Sequence, residues 1–122
     1  DVERFLFAAK KIGEFDVLTA TRTDLDANDL RKIGDFLRDK DPKIIAVLAT
    51  ANESKVTFTA CCGKDAVAAG IKAGDIVRAV SAVAGGKGGG KPDSAMGGGT
   101  EVLKMDNALA IVDDLVAEKL GL

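Results

Sequence analysis

The chain has 122 residues, 47% of them apolar and 30% charged, proportions that suit one soluble domain with an aliphatic core. Its formal charge is −2, which excludes a global attraction to nucleic acid or to an anionic membrane, so any anion site must be a local patch. Histidine is absent, and with it go Ser-His-Asp and Cys-His catalysis and histidine-ligated metal sites.

No apolar run reaches membrane-spanning length, so no membrane partner is expected. Asp1, Glu3 and Arg4 interrupt any signal-peptide core, and the missing initiator Met suggests a fragment of a longer chain. Val2, Phe5, Leu6, Ala9 and Ile12 recur at helical spacing, which predicts the end of an amphipathic helix entering from a preceding domain, with Gly13 as its stop. Residues 1–13 are accordingly expected to be a connector and 14–122 the globular domain. Phe15 to Thr21 reads as a strand. Asp26 is placed to cap a helix with Leu30, Ile33, Phe36 and Leu37 on one face, and Asp41-Pro42 ends it. Arg31, Lys32, Arg38 and Lys40 fall mostly off that face and read as a solvated surface that could touch phosphates.

Lys43 to Thr50 is a nearly continuous apolar run, as in a strand buried on both faces. After a polar turn at Ala51–Ser54, Lys55 to Cys62 alternates, with Val56, Phe58, Ala60 and Cys62 on one face, which predicts a hairpin. The adjacent Cys61 and Cys62 read as buried thiols of a reducing compartment, because a vicinal disulfide is strained and two ligands do not make a zinc site. Lys64 to Ile71 and Asp75 to Val83 predict two helices, the second with Ile76, Val77, Val80 and Val83 inward. Asp106 is expected to cap a last helix with Leu109, Val112, Leu115, Val116 and Leu120 inward, closed by Gly121. Asp114 and Glu118 share a face of that helix and read as solvated carboxylates. The order implies a small mixed sheet packed against helices, an α/β (α+β) fold.

The stretch 84–99 stands apart. Eight of the fourteen glycines lie between Gly85 and Gly99, around Lys87, Lys91 and a rigid Lys-Pro-Asp corner. It is not a Walker loop, and it follows a predicted helix where the dinucleotide-binding fingerprint follows a strand. An ordered loop that offers backbone amides and two lysines to an anion is the expected form. The candidate anion contacts are Lys87, Lys91 and the amides of Gly88, Gly89 and Gly90, with Lys64, Lys72 and Arg78 in the segment that leads into the loop.

Lys72-Ala-Gly-Asp-Ile-Val-Arg78, followed by Gly85 to Gly99 without a gap, resembles the C-terminal, DHHA1-type domain of alanyl-tRNA synthetases. The family pattern has six glycines, Arg-Pro-Asp-Met-Ala-Gln and three glycines; here Lys87 replaces a glycine, Lys91 the Arg, Ser94 the Met and Met96 the Gln. Lys91 keeps the charge without the planar fork of Arg. The resemblance implies a DHHA1-like fold at the end of a helical connector, and a cytoplasmic, non-catalytic module of an alanine–tRNA ligase. Such a module binds the elbow of tRNA-Ala and helps the aminoacylation and editing domains share one tRNA, which would make RNA contacts of Lys87, Lys91 and the amides of Gly88, Gly89 and Gly90, supported by Lys64, Lys72 and Arg78. ATP, magnesium and zinc would belong to those other domains, and no cofactor is expected in this chain. Two alternatives stand beside this reading. One is an oligomerisation module that forms a homodimer. The other is the substrate-binding domain of a DHH-type phosphoesterase, whose usual Gly-Gly-His signature this histidine-free chain lacks.

Overall fold

The computed structural model describes residues 3–122. In chain order the elements are α1 (Glu3–Ala8), β1 (Lys10–Ile12), β2 (Phe15–Thr21), α2 (Ala27–Lys40), β3 (Ile44–Ala51), β4 (Val56–Cys62), α3 (Lys64–Ala68), α4 (Ala73–Val83), β5 (Lys87–Gly90), β6 (Ser94–Gly99), a 3-10 turn (Val102–Lys104), α5 (Met105–Ala110) and α6 (Val112–Leu120). The six strands form one sheet in the order β1-β2-β3-β4-β6-β5. Only β2 and β3 pair in parallel, and α2 makes the crossover between them. The other neighbours are antiparallel.

Alternation along the strands divides the core into two layers. Phe15 and Val17, Ile45 and Val47, Val56, Phe58 and Ala60, and Ala95 point to one face. There they pack against Ile76, Val77 and Val80 of α4, Leu109 of α5, and Val112 and Val116 of α6. Leu18, Ile44, Ala46, Leu48 and Cys61 point to the other face and meet Leu30 and Leu37 of α2. β3 therefore buries both its faces, which explains its unbroken apolar run. Cys61 and Cys62 are free and buried on opposite faces. α2 opens with a full capping box: Asp29 N–H donates to the Asp26 carboxylate at 2.8 Å, and Asp26 N–H to the Asp29 carboxylate at 3.2 Å.

The structure departs from the sequence expectations at four places. The N-terminal helix ends at Ala8, and Lys10–Ile12 is an edge strand on β2, so Gly13 is the left-handed residue of a tight turn (φ 61°) and not a helix stop. Val2 lies outside the described residues. Phe36 is 39% exposed and not part of the α2 core stripe; its ring lies 5.9 Å from the Lys40 ammonium. The last helix is two: α5 starts at Met105 with Lys104 before it, so Asp106 is not a cap but a first-turn acid, and the chain re-forms as α6 after Ile111.

The largest correction concerns the glycine stretch, which is no loop. Its two halves are the strands β5 and β6, paired from Lys87↔Gly98 to Gly90↔Ala95, with Pro92-Asp93 at the turn and Lys91 N–H donating to Ser94 O at 2.9 Å. The reason is α4. A Cβ built on Gly97 would stand 2.7 Å from Val77 Cγ1 and 2.7 Å from Gly88 Cα. One built on Gly88 would stand 2.7 Å from Gly97 Cα and collide with Val77. The helix lies so close on this end of the sheet that the facing pair must have no side chains.

Candidate nucleic-acid interface

On the opposite face the β5–β6 hairpin is bare. Residues of one parity on β4, β6 and β5 share that face: Thr57, Thr59 and Cys61, then Ser94, Met96 and Gly98, then Lys87 and Gly89. α2 covers this side only as far as β4. Between α2 and the hairpin runs an open groove of about 540 Å³. Its floor is Gly89, Gly90, Ser94 and Met96; Arg31, Asp35 and Arg38 rise on the α2 side, and Lys91 and Asp93 stand at the hairpin turn.

The charges in this groove are unequal in their freedom. Arg38 is spent internally, facing Asp35, Asp39 and Asp93 at 3.3 to 3.7 Å. Arg31 is exposed and donates only to the Asn28 side-chain oxygen, at 2.9 Å. Lys87 and Lys91 are exposed, and neither is in a salt bridge among the described residues. Among the described residues, two cations without a carboxylate partner, Arg31 and Lys91, thus line a floor with little side-chain bulk, and a third, Lys87, lies farther along the same sheet face. Such a surface can receive a phosphate or the edge of a sugar without obstruction.

The ladder sorts the glycine amides. The Lys91–Ser94 hydrogen bond fixes the alternation, so Lys87 and Gly89 turn their amides to β6, while Gly88 and Gly90 turn theirs to the open edge of the sheet. Gly86 follows the same phase, its outward N–H reaching Ser81 O at 2.8 Å. Of the three amides singled out in the sequence, those of Gly88 and Gly90 are therefore placed for a ligand at the edge, and that of Gly89 is committed to the sheet.

The supporting basic residues are scattered. Arg78 overhangs the β5 edge from α4, its guanidinium 3.9 Å from where a Gly89 Cβ would be, and is paired to Asp75 at 3.1 Å. Lys64, at the start of α3, borders a depression behind the hairpin turn with Pro42 and Pro92. Lys72 precedes α4 and faces α6 across a depression lined by Leu115 and Lys119. Only Arg78 shares a neighbourhood with Lys87 and Lys91. Met96 is not anticipated in the groove, and Arg31 is expected only as one of four basic residues on a solvated surface that could touch phosphates. Sequence alone shows that Arg31 lies off the apolar stripe of α2, but not that the hairpin comes to lie beside it. On α6, Asp113 is paired with Lys10.

A DHHA1 domain model matches residues 14–118. The chain belongs to the DHHA1 domain family. It is 46% identical over 112 residues to an alanine–tRNA ligase of Methylobacillus flagellatus, and 38% identical over 113 residues to one of Alkaliphilus oremlandii. These alignments cover 92% and 93% of this chain but 13% of each ligase. The fold is similar to that of the C-Ala domain of Aquifex aeolicus alanyl-tRNA synthetase, with a TM-score of 0.83 and 25% identity over 89% of this chain and 97% of that domain. It also resembles a DHH domain protein described as a member of the s1p family of ribosomal proteins, with a TM-score of 0.59 at 13% identity, covering 96% of this chain and 30% of the other. This second likeness is one of fold. No described helix is long and apolar enough to cross a membrane.

Proposed function

We propose that this DHHA1 chain is the C-terminal tRNA-binding domain of an alanyl-tRNA synthetase, working in the cytoplasm. Its groove would take the elbow of tRNA-Ala and so help the aminoacylation and editing domains act on one tRNA. Residues 1–13 would be the end of the connector that brings the domain to its parent. The ligase reaction, with its ATP, magnesium and zinc, would belong to the rest of that enzyme. The chain itself has no histidine, and both its thiols are buried with raised pKa, that of Cys61 to about 12, so neither offers a ready nucleophile.

The observation that carries this reading is the groove: a floor of low bulk lined by Arg31 and Lys91, with Lys87 farther along the same sheet face, none of them in a salt bridge among the described residues. A tRNA elbow is a folded surface of phosphates and sugar edges, recognised largely by shape, and a concave strip with a few free cations suits it. The acidic total charge implies modest affinity from few phosphate contacts.

The test is binding of the domain to tRNA-Ala and to an acceptor-stem minihelix that lacks the elbow, at two salt concentrations. Preference for full tRNA, weakening with salt, is expected. In the Lys87→Gln/Lys91→Gln variant the slope of log K against log salt should flatten by about 1.4 to 1.8, from roughly 0.7 to 0.9 per phosphate contact. Equal binding to both RNAs would remove the elbow, and an unchanged slope would remove the two lysines from the interface.

A further inference from the structure

Arg38 and the hairpin turn form an arrangement that the RNA-binding reading does not use. The guanidinium, 24% exposed, lies 3.3 Å from Asp35, 3.7 Å from Asp39 and 3.6 Å from Asp93. Asp35 and Asp39 belong to its own helix. Asp93 sits in the turn between β5 and β6, and its pair with Arg38 is the one salt bridge among the described residues that joins α2 to the hairpin. The same turn is tied on two other sides: Cys62 N–H donates to Asp93 O at 3.1 Å, and Ala73 N–H to Pro92 O at 2.8 Å. Backbone bonds thus anchor the turn to β4 and α4, and among the described residues the Arg38–Asp93 pair is the salt bridge that sets it against α2. Lys91 is the next residue but one to Asp93 and stands at the mouth of the groove that α2 borders.

We infer that Arg38 is a positioning residue, which through Asp93 holds the hairpin turn, and with it Lys91, at a fixed width from the α2 wall. The inference rests on the RNA-binding reading above for its consequence, but the clasp itself is a property of the free domain. It makes a prediction opposite in sign to plain electrostatics. Asp93→Asn removes a negative charge beside the groove, so if Asp93 only repels phosphate the variant binds RNA more tightly. If Asp93 holds Lys91 in place, the variant binds more weakly although its charge is more favourable.

The experiment has two arms on the intact domain. In the first, tRNA-Ala binding is measured at two salt concentrations for the parent, Asp93→Asn, Asp93→Glu and Arg38→Met. Asp93→Asn should weaken binding about 2- to 5-fold, the range for an exposed ion pair, and Asp93→Glu should retain it. The salt slope of Arg38→Met should stay that of the parent. In the second arm, hydrogen exchange without RNA should show the Lys91 and Cys62 amides opening faster by a similar factor in Asp93→Asn and Arg38→Met, with the Val47 amide unchanged. Tighter or equal RNA binding by Asp93→Asn overturns the proposal. So does unaltered exchange at Lys91. A slope in Arg38→Met flatter by one contact would make Arg38 an RNA ligand and also overturn its positioning role. If the parent itself binds no tRNA, the RNA-binding reading fails, and the exchange arm still decides the clasp.

Discussion

Gly88 and Gly89 are neighbours on one strand, yet the structure assigns them opposite responses to the same methyl group. The stronger partner for comparison is Gly97, which faces Gly88 across the ladder. A Cβ at Gly97 would be 2.7 Å from both Val77 Cγ1 and Gly88 Cα and would also collide with Ser81 Oγ. One of these neighbours is strand backbone and the others belong to a buried helix face, so no flexible group can yield. Overpacking of this kind costs about 1–3 kcal/mol, and the triple contact puts Gly97→Ala near 3 kcal/mol. At Gly89 the nearest atom would be Arg78 Nη2 at 3.9 Å, an ordinary contact with the end of a flexible side chain. There the methyl group acts chiefly on the unfolded chain, and Gly89→Ala should stabilise by about 0.4–1 kcal/mol. For a domain of this size, at roughly 4 °C per kcal/mol, Gly97→Ala should melt about 12 °C lower and Gly89→Ala about 2–4 °C higher than the parent. The chain has no Trp and no Tyr, so the measurement is thermal and urea unfolding followed by far-UV circular dichroism. A Gly97→Ala variant within 0.5 kcal/mol of the parent, or shifts of the same sign in both variants, would refute the packing of α4 on a side-chain-free hairpin.

Three further outcomes follow from the geometry. Asp26→Ala removes half of the α2 capping box and should cost about 1 kcal/mol in urea unfolding, with Asp26→Ser close to the parent. The Cys61 thiol, which burial pushes up to about 12 against the weaker opposing pull of Arg38, and the Cys62 thiol, raised by the same cause, should resist iodoacetamide at pH 8 in the folded domain and take up two equivalents in denaturant. The Asp41 and Asp16 carboxyls act on each other and shift in opposite directions. Burial and the Asp16 carboxyl raise Asp41. Burial opposes the change at Asp16, but Asp41 and Lys11, whose ammonium is 2.6 Å away, outweigh it and keep Asp16 ionised. Asp41 therefore favours folding only while protonated, below its ordinary value of 3.8, and that contribution is lost as pH rises through its raised folded value. Asp16 favours folding above 3.8, and this is lost as pH falls through its lowered folded value. Asp41→Asn, which still offers an oxygen to Lys43 N–H, should be more stable than the parent at pH 7 and lose that advantage near pH 4; no pH dependence in the difference would contradict the pairing.

Where burial and period dictated the element, the chain could be read directly. β3 and β4 carry patterns that only two-sided and alternating burial explain, and Asp26 announces the start of α2. The failures lie where one residue type serves more than one demand. Glycine density normally marks a flexible segment, and the sequence holds no sign that a helix will be laid on this one. Lys10–Ile12 continues a helical spacing from α1, and pairing with β2 decides its form instead; three residues are too few for period 2 to compete with 3.6. The groove was legible only in half. Lys87 and Lys91 announce themselves by their setting among glycines, but Arg31 enters the site through tertiary packing alone, since 56 residues separate it from Lys87. The clasp at Arg38 was hidden for the same reason.

The hairpin glycines do not all answer to the fold. Gly88 and Gly97 must be small because α4 lies on them, and Gly98 because a Cβ there would meet the Val56 carbonyl oxygen. Gly89 has no such reason: its position on the open face is roomy, its backbone is not in the region that side chains avoid, and alanine there should raise stability. On the function proposed above, a residue that weakens its own strand without a packing demand, on the floor of a groove lined by Arg31 and Lys91, is explained by a close approach from outside. The two properties should therefore part company. Gly89→Ala should fold better and bind tRNA less well, and Gly89→Val should lose more binding, because each added methyl lifts the ligand from the floor and from the cations beside it. Stability is read by urea unfolding and affinity by titration with tRNA-Ala. A Gly89→Val domain that binds as the parent does would place the ligand elsewhere, at the β5 edge where the Gly88 and Gly90 amides point, and would leave the groove floor as a consequence of packing alone.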